Sequence, residues 1–118
     1  MGIKEDLGFE LRHIGINCAN AEEAEKVAEI FELMFGFKKK VGNSSVFAGT
    51  EIEAMKKPYL GTNGHIAIGT PHMEQAIEVL KEKGFDIDME TAKYKNHKLT
   101  AVYIKGEFGG FAVHLVAI

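Results

Sequence analysis

Two histidines occupy the same position of a repeated apolar pattern. His13 lies in RHIGIN and His65 lies in GHIAIG, and in both segments the isoleucines alternate with other residues. A period of two with β-branched residues predicts a strand, whose successive side chains point to opposite faces. Each histidine therefore faces away from its isoleucines, beside a small residue, Gly15 in the first segment and Ala67 in the second. These small neighbours leave room for a ligand.

Two more side chains that can bind a metal occupy equivalent positions in later segments. His114 in FAVHLV projects away from the apolar residues that flank it, and Glu53 in IEAM occupies the matching position. Three imidazoles and one carboxylate suit a borderline divalent ion such as Zn, Ni, Co, Mn or Fe(II). Without an ion or ligand, gathering these groups in a shielded site would cost free energy, because buried polar groups need partners.

Each of these residues also has a simpler interpretation. A single histidine on a strand is more often a hydrogen-bonded structural residue than a metal ligand, and one glutamate on an edge strand is usually a solvated charge. The metal hypothesis therefore depends on all four positions recurring in one repeated frame. His72 and His97 lack that register, and we predict that both are surface residues. Cys18, the only cysteine, continues the isoleucine face, which predicts a buried, inert thiol.

The segments that must position these residues repeat one order of elements. The first copy begins with a strand over 11–18 and a helix whose N-cap is Asn20 and whose end is Gly36. In the second copy Thr70 is the predicted N-cap, Pro71 the first helical residue and Gly84 the stop signal. The remaining predicted strands cover 37–41, 45–48, 52–56, 65–69, 85–88, 99–105 and 111–116, with a polar loop over 89–98.

This order is β-α-β-β-β twice, so the fold class is α+β with an internal duplication. We expect one domain over 1–118, with modules 11–57 and 63–118 and a connector over 58–62. The chain length of 118 residues is ordinary for a single domain.

Composition excludes several classes of partner. A net charge of −3 argues against nucleic-acid binding. No apolar run is long enough to span a bilayer, and the N-terminal segment lacks a signal peptide's apolar region, so no membrane partner and a cytoplasmic location are expected. The lysine run 38–40 is interpreted as a solvated strand edge rather than an anion site.

The chain resembles the vicinal oxygen chelate superfamily, which includes glyoxalase I, extradiol dioxygenases, methylmalonyl-CoA epimerase and fosfomycin-resistance proteins. The resemblance spans residues 11–116. It rests on RHIGIN, LMFGF, GTEIEAM, GHIAIG and GGFAVHLV.

The resemblance implies that two βαβββ modules form an open, cup-shaped mixed sheet with a divalent metal ion inside. Carried over position by position, the metal ligands are His13, Glu53, His65 and His114. The superfamily usually has a glutamate at the last position, where this chain has His114.

A narrower resemblance concerns the domain found C-terminal to some bacterial 2-keto-3-deoxy-6-phosphogluconate/4-hydroxy-2-oxoglutarate aldolases. It implies that the chain is one domain of a longer protein with a covalently attached aldolase domain. The aldolase barrel and its Schiff-base lysine are absent from this sequence.

Three functions remain open at this point. The first is a metal-dependent lyase or isomerase acting on a small oxygenated metabolite, in which Glu53 is a ligand that can become a general base and His114 is a ligand or proton shuttle. The second is a non-catalytic domain that binds a 2-keto acid or phosphorylated sugar acid for an attached aldolase. The third is a structural or dimerising module. A homodimer is expected, because open cups with exposed sheet edges commonly pair.

Overall fold

One mixed sheet of eight strands runs through the whole molecule. The computed structural model describes residues 2–118 and has three helices, none of which, in this range, is long and apolar enough to cross a membrane. The elements are α1 (Ile3–Leu7), β1 (Glu10–Asn17), α2 (Ala21–Phe35), β2 (Lys39–Val41), β3 (Ser45–Ala48), β4 (Ile52–Met55), β5 (Gly64–Thr70), α3 (Met73–Glu82), β6 (Ile87–Lys95), β7 (Lys98–Phe108) and β8 (Phe111–Ala117).

The strand order shows the duplication directly. Across the sheet the strands follow the order β2-β3-β4-β1-β5-β8-β7-β6. In one half β1 pairs with β4 in parallel, and in the other half β5 pairs with β8 in parallel. The halves join where β1 and β5 run antiparallel, which places RHIGIN beside GHIAIG. The predicted α+β class with two βαβββ units is confirmed.

Helix α2 begins and ends where its caps predict. The Asn20 side chain accepts a hydrogen bond from the Glu23 backbone N–H at 2.9 Å, and the Glu23 carboxylate accepts one from the Ala19 N–H at 3.2 Å. Gly36 ends the helix in the left-handed conformation, with φ 75°. The buried residues of the helix are Ala24 and Ala28, whereas Phe35 in its last turn is 59% exposed.

The cores of the two halves lie on the helix side of the sheet. In the first half, the core cluster consists of Cys18, Ala24, Ala28, Val46, Ala48 and Ala54. Cys18 is buried, as predicted, with 2% exposure, and burial raises the pKa of its thiol. In the second half, the core cluster consists of Met73, Ala76, Ile77, Ile87, Val102, Ile104 and Leu115, and Leu7 of α1 joins it.

The predicted start of α3 is wrong. Thr70 still belongs to β5, and His72 is the N-cap, without a side-chain cap. The fully buried Thr70 hydroxyl donates to the Leu7 carbonyl and accepts from the His72 N–H. Pro71 therefore precedes the helix rather than beginning it. The physical reason is that Thr70 pairs with Ala117 of β8 and so continues β5, while its hydroxyl accepts from His72, which precedes the helix. The hydroxyl also links β5 to α1, a helix that the sequence pattern did not reveal.

The predicted polar loop over 89–98 is also wrong. Strand β6 continues to Lys95, and β7 begins at Lys98, so only Asn96 and His97 form the turn. Their φ values are 53° and 65°, the left-handed backbone that a tight two-residue hairpin turn needs and that Asn and His tolerate better than most residues. The hairpin is exposed and polar, so its sequence lacks the alternation of apolar and polar residues that predicts a strand. His72 and His97 are both exposed, as predicted.

Candidate metal centre

The strand pairing places the four predicted side chains in two adjacent rows on one face of the sheet. In the first row, Gly15 of β1 lies between Glu53 of β4 and His65 of β5. In the second row, Ala67 of β5 lies between His13 of β1 and His114 of β8. Each row thus has a small residue at its middle and a long polar side chain on either side.

The small residues allow the long side chains to meet above them. A Cβ atom built on Gly15 would overlap the imidazole ring of His65. The ring therefore lies in the space that any larger residue at position 15 would fill. Ala67 has no exposed surface at all, so the second row is equally tight.

Three of the polar atoms form a nearly equilateral triangle. The Nε2 atoms of His13 and His65 lie 3.2 Å apart. Glu53 Oε1 lies 3.3 Å from the first nitrogen and 3.1 Å from the second. His114 completes the group, since the nitrogens that the three histidines offer a metal lie within 4.8 Å of one another. The structure thus brings together all four residues singled out in the sequence.

Two nitrogens of this cluster are buried without a partner in the described part of the chain. They are Nδ1 of His65, a residue with 2% exposure, and Nε2 of His114. An unsatisfied buried polar atom costs about 1–3 kcal/mol. A bound ion would give Nε2 of His114 a partner, whereas Nδ1 of His65 lies on the far side of its ring from the Nε2 that faces His13 and Glu53.

The protonation states suit metal binding. Burial would raise the pKa of Glu53, but hydrogen bonds with His13, His65 and Ser45 outweigh it and hold the pKa well below its ordinary value. Burial, with the charges of His65 and His13, lowers the pKa of His114 to about 3. At neutral pH Glu53 is therefore an anion and His114 a neutral imidazole, and metal ligands must be deprotonated in this way.

The spacing also fits an ion. In a tetrahedral site with metal–nitrogen bonds of about 2.05 Å, neighbouring ligand atoms lie about 3.3 Å apart. The triangle edges of 3.1, 3.2 and 3.3 Å match this separation. The donor types and the separations among His13, Glu53 and His65 thus fit a borderline divalent metal, with His114 close by.

Three further residues shape the site and were missed by the sequence analysis. The Ser45 hydroxyl donates to Glu53 Oε2 at 2.7 Å, and the Phe47 ring contacts His13 edge-on at 5.7 Å. The Tyr103 ring stacks on His114 at 4.6 Å. Alternation in β7 could have placed Tyr103 on the cup face, but nothing in the sequence around Ser45 marks it.

Tyr103 is the buried wall of the site. Its ring is 8% exposed and pairs with His114 across β7 and β8. Burial, with the nearby Tyr59 and Glu53, raises its pKa to about 12. At neutral pH its hydroxyl thus keeps its proton and remains a hydrogen-bond donor.

Comparison with known proteins identifies the fold. No protein-family model matches the chain, and no curated protein matches it. Among solved structures, the hypothetical protein BH1468 from Bacillus halodurans C-125 matches with a TM-score of 0.63 and 16% identity, over 93% of this chain and 94% of that one.

Methylmalonyl-CoA epimerases match as well. A single-residue variant of the Streptomyces coelicolor enzyme, in complex with 2-nitronate-propionyl-CoA, has a TM-score of 0.62 and 16% identity, over 92% of this chain and 93% of that one. The Mycobacterium tuberculosis enzyme has a TM-score of 0.57 and 15% identity, over 91% and 86%. At these identities the likeness establishes the fold. The chain has the glyoxalase-like fold of the methylmalonyl-CoA epimerases.

Proposed function

We propose that the chain is a metal-binding glyoxalase-like domain whose ion is held by His13, Glu53, His65 and His114 and chelates two adjacent oxygens of a small metabolite. One observation carries the proposal: four side chains able to bind a metal converge from both halves in a cup, where the buried Nε2 of His114 has no partner among residues 2–118. A cluster with only a structural role would be expected to satisfy that nitrogen.

Glu53, His114 and Tyr103 have different roles in the proposed site. A bound divalent ion supplies Lewis-acid stabilisation of negative charge on the oxygens it chelates. Glu53 is ionised and offers Oε1, so it can hold the ion or accept a proton. His114 is neutral, and its Nε2 has no partner among residues 2–118, so it can be the fourth ligand or carry a proton. Tyr103, stacked on His114, restricts the motion of that ring.

For the reaction we propose isomerase or lyase chemistry through proton transfer next to a chelated carbonyl. The epimerase-like fold supports this class, since epimerisation is an isomerisation. The proposed substrate is a small keto acid or sugar acid, which offers adjacent oxygens. The proposal treats 1–118 as one domain of modules 11–57 and 63–118 joined by 58–62, and the strand order supports that division.

The alternative is a non-catalytic binding or oligomerisation domain of a 2-keto-3-deoxy-6-phosphogluconate/4-hydroxy-2-oxoglutarate aldolase. The observation in its favour is His114, which replaces the glutamate usual in the superfamily and leaves Glu53 as the only carboxylate of the site. Turnover separates the two functions. An enzyme converts methylglyoxal hemithioacetal or a 2-keto-3-deoxy sugar acid, whereas a binding domain only binds it.

The expected homodimer stays a prediction. Light scattering of the purified protein tests it by measuring the molar mass in solution.

Metal analysis tests the proposal. The purified protein is incubated with Zn, Ni, Mn and Fe(II), dialysed and analysed for bound metal, alongside His13→Ala and His65→Ala. The matched control is His72→Ala, which removes an exposed imidazole outside the cup. We expect near-stoichiometric metal in the wild type and the control, and little in the two cup variants. A wild type that stays metal-free with all four ions would contradict the proposal.

A further inference from the structure

A cleft opens beside the cup, between the segment that follows β4 and the start of α2. Its volume is about 740 Å³, within the range of about 300–1,000 Å³ that is typical of small-molecule sites. Met55, Pro58 and Tyr59 give it an apolar floor, and Lys56, Lys57 and Lys93 supply its charge. Neither the sequence motifs nor the proposed metal centre accounts for this cleft.

The cleft lies close to the metal centre. Met55 lies two residues after Glu53 in β4, so both side chains are on the cup face of the strand. Tyr59 contacts the ring of Tyr103 at 5.7 Å, and Tyr103 in turn stacks on His114. The cleft and the metal centre are therefore neighbours, linked by one strand and two aromatic rings.

The charge of the cleft has one sign. No Asp or Glu is among the described residues that line it, although the chain as a whole has a net charge of −3. Lys56 donates to the Gly42 carbonyl at 2.8 Å. Lys57 and Lys93 form no ion pair within residues 2–118, so their ammonium groups remain available. Lys93 also lies close enough for its charge to act on His114.

We infer that this cleft binds a distal anionic group of the substrate, so that the substrate is an organic acid with a second negative charge beyond its two chelating oxygens. The apolar floor accommodates the carbon chain between the two ends, and Lys57 and Lys93 attract the distal carboxylate or phosphate. The inference rests on the proposed function, because the metal centre must hold the first end.

Matched pairs of keto acids test the inference. Isothermal titration calorimetry measures their binding to protein loaded with the metal ion that binds best. The first pair is 2-oxoglutarate and 2-oxopentanoate, and the second is 2-oxoadipate and 2-oxohexanoate. Members of each pair share the chelating end and differ in the distal carboxylate. We expect at least one dicarboxylate to bind about five-fold or more tightly than its partner. Added salt should shrink this preference, because exposed charges are screened.

Lysine variants test whether the preference for a dicarboxylate arises in the cleft. In Lys57→Gln/Lys93→Gln the preference should disappear while metal content stays at the wild-type level. The control Lys83→Gln changes one exposed charge at the end of α3, outside the cleft, and should keep the preference. Equal binding within both pairs, no binding by loaded protein, or a preference that survives the double variant would overturn the inference and leave the metal site standing. A protein that binds no metal overturns the proposed function and the inference together.

Discussion

Glu53 and His114 are counterparts in the duplicated fold, yet their environments differ. Glu53 pairs with Gly15 across β4 and β1, and His114 pairs with Ala67 across β8 and β5. The Glu53 carboxylate has partners on both oxygens, whereas His114 Nε2 has none in the described residues. The repeat in the sequence predicts their equivalent positions. Their different chemistry depends on neighbours such as Ser45, which no sequence pattern indicated.

Ser45 determines which oxygen of Glu53 faces the histidines. Its hydroxyl donates a hydrogen bond to Oε2 at 2.7 Å, so Oε1 is the oxygen that contacts the imidazoles of His13 and His65. Residues that orient a metal ligand in this way typically contribute about 10- to 100-fold in metal affinity. We predict that Ser45→Ala weakens metal binding by about that factor, measured by competition with a chelator of known affinity.

Two variants control this experiment. Ser44→Ala removes a hydroxyl from the exposed neighbouring residue and should leave the affinity unchanged. Ser45→Thr keeps a hydroxyl and should recover part of it. Equal affinities for wild type and Ser45→Ala would show that the carboxylate does not need this partner.

Strands β1 and β5 form the centre of the site because each carries a histidine and a small residue on its cup face. Their antiparallel pairing places Gly15 opposite His65 and Ala67 opposite His13. The histidine of each strand therefore lies against the small residue of the other. The sequence predicts the alternation within each strand, but the pairing register is a tertiary property, since it depends on how the two halves meet.

Gly15→Ala should displace the His65 ring, because the added Cβ overlaps it. We predict that metal affinity falls about ten-fold or more, because a ligand atom must stay within about 0.5 Å of its position for the metal to bind well. Chelator competition measures the affinity, and circular dichroism of the metal-free protein checks the fold. Gly2→Ala, near the chain terminus, is the control. Wild-type affinity in a folded Gly15→Ala variant would show that His65 is not a ligand in this rotamer.

At the scale of the whole molecule, the cup concentrates titratable groups from both halves in one buried place. His13 and Glu53 come from the first half, and His65 and His114 come from the second. The metal-free protein must keep His114 neutral, because burial and the neighbouring imidazoles oppose its charge. Stability without metal should therefore depend on pH.

The number of protons that the folded and unfolded chains bind determines how stability changes with pH. The pKa of His114 is about 3 in the folded protein and about 6.5 when unfolded. Between these values the unfolded chain binds a proton that the folded chain does not, so stability falls as pH falls. From pH 7.5 to 5.0 we predict a loss of about 1–2 kcal/mol in the free energy of unfolding due to His114. The contribution of Glu53, whose pKa is lowered, is lost only at more acidic pH.

Urea unfolding in the presence of a chelator measures this loss, with His114→Gln as the comparison. The variant should lose less stability than the wild type between the two pH values. Equal losses would show that His114 is protonated in the folded protein. The groups that face His114 and stay common to both proteins are His13, His65, Glu53, Tyr103 and Lys93.

Local periodicity and the repeat were enough to predict the duplication, the fold class and the sheet face on which each of the four polar residues lies. Other features depend on contacts that form only in the folded chain. The start of α3 depends on the pairing of Thr70 with Ala117, which is distant in the chain, and the hairpin at Asn96 depends on the pairing of two polar strands. Ser45, Tyr103 and the lysine cleft belong to the site through contacts across the curled sheet. Ser45 and Tyr103 meet their partners across adjacent strands, and the cleft brings Lys57 near Lys93. These contacts depend on strand register and sheet curvature, which the alternation within one strand does not specify.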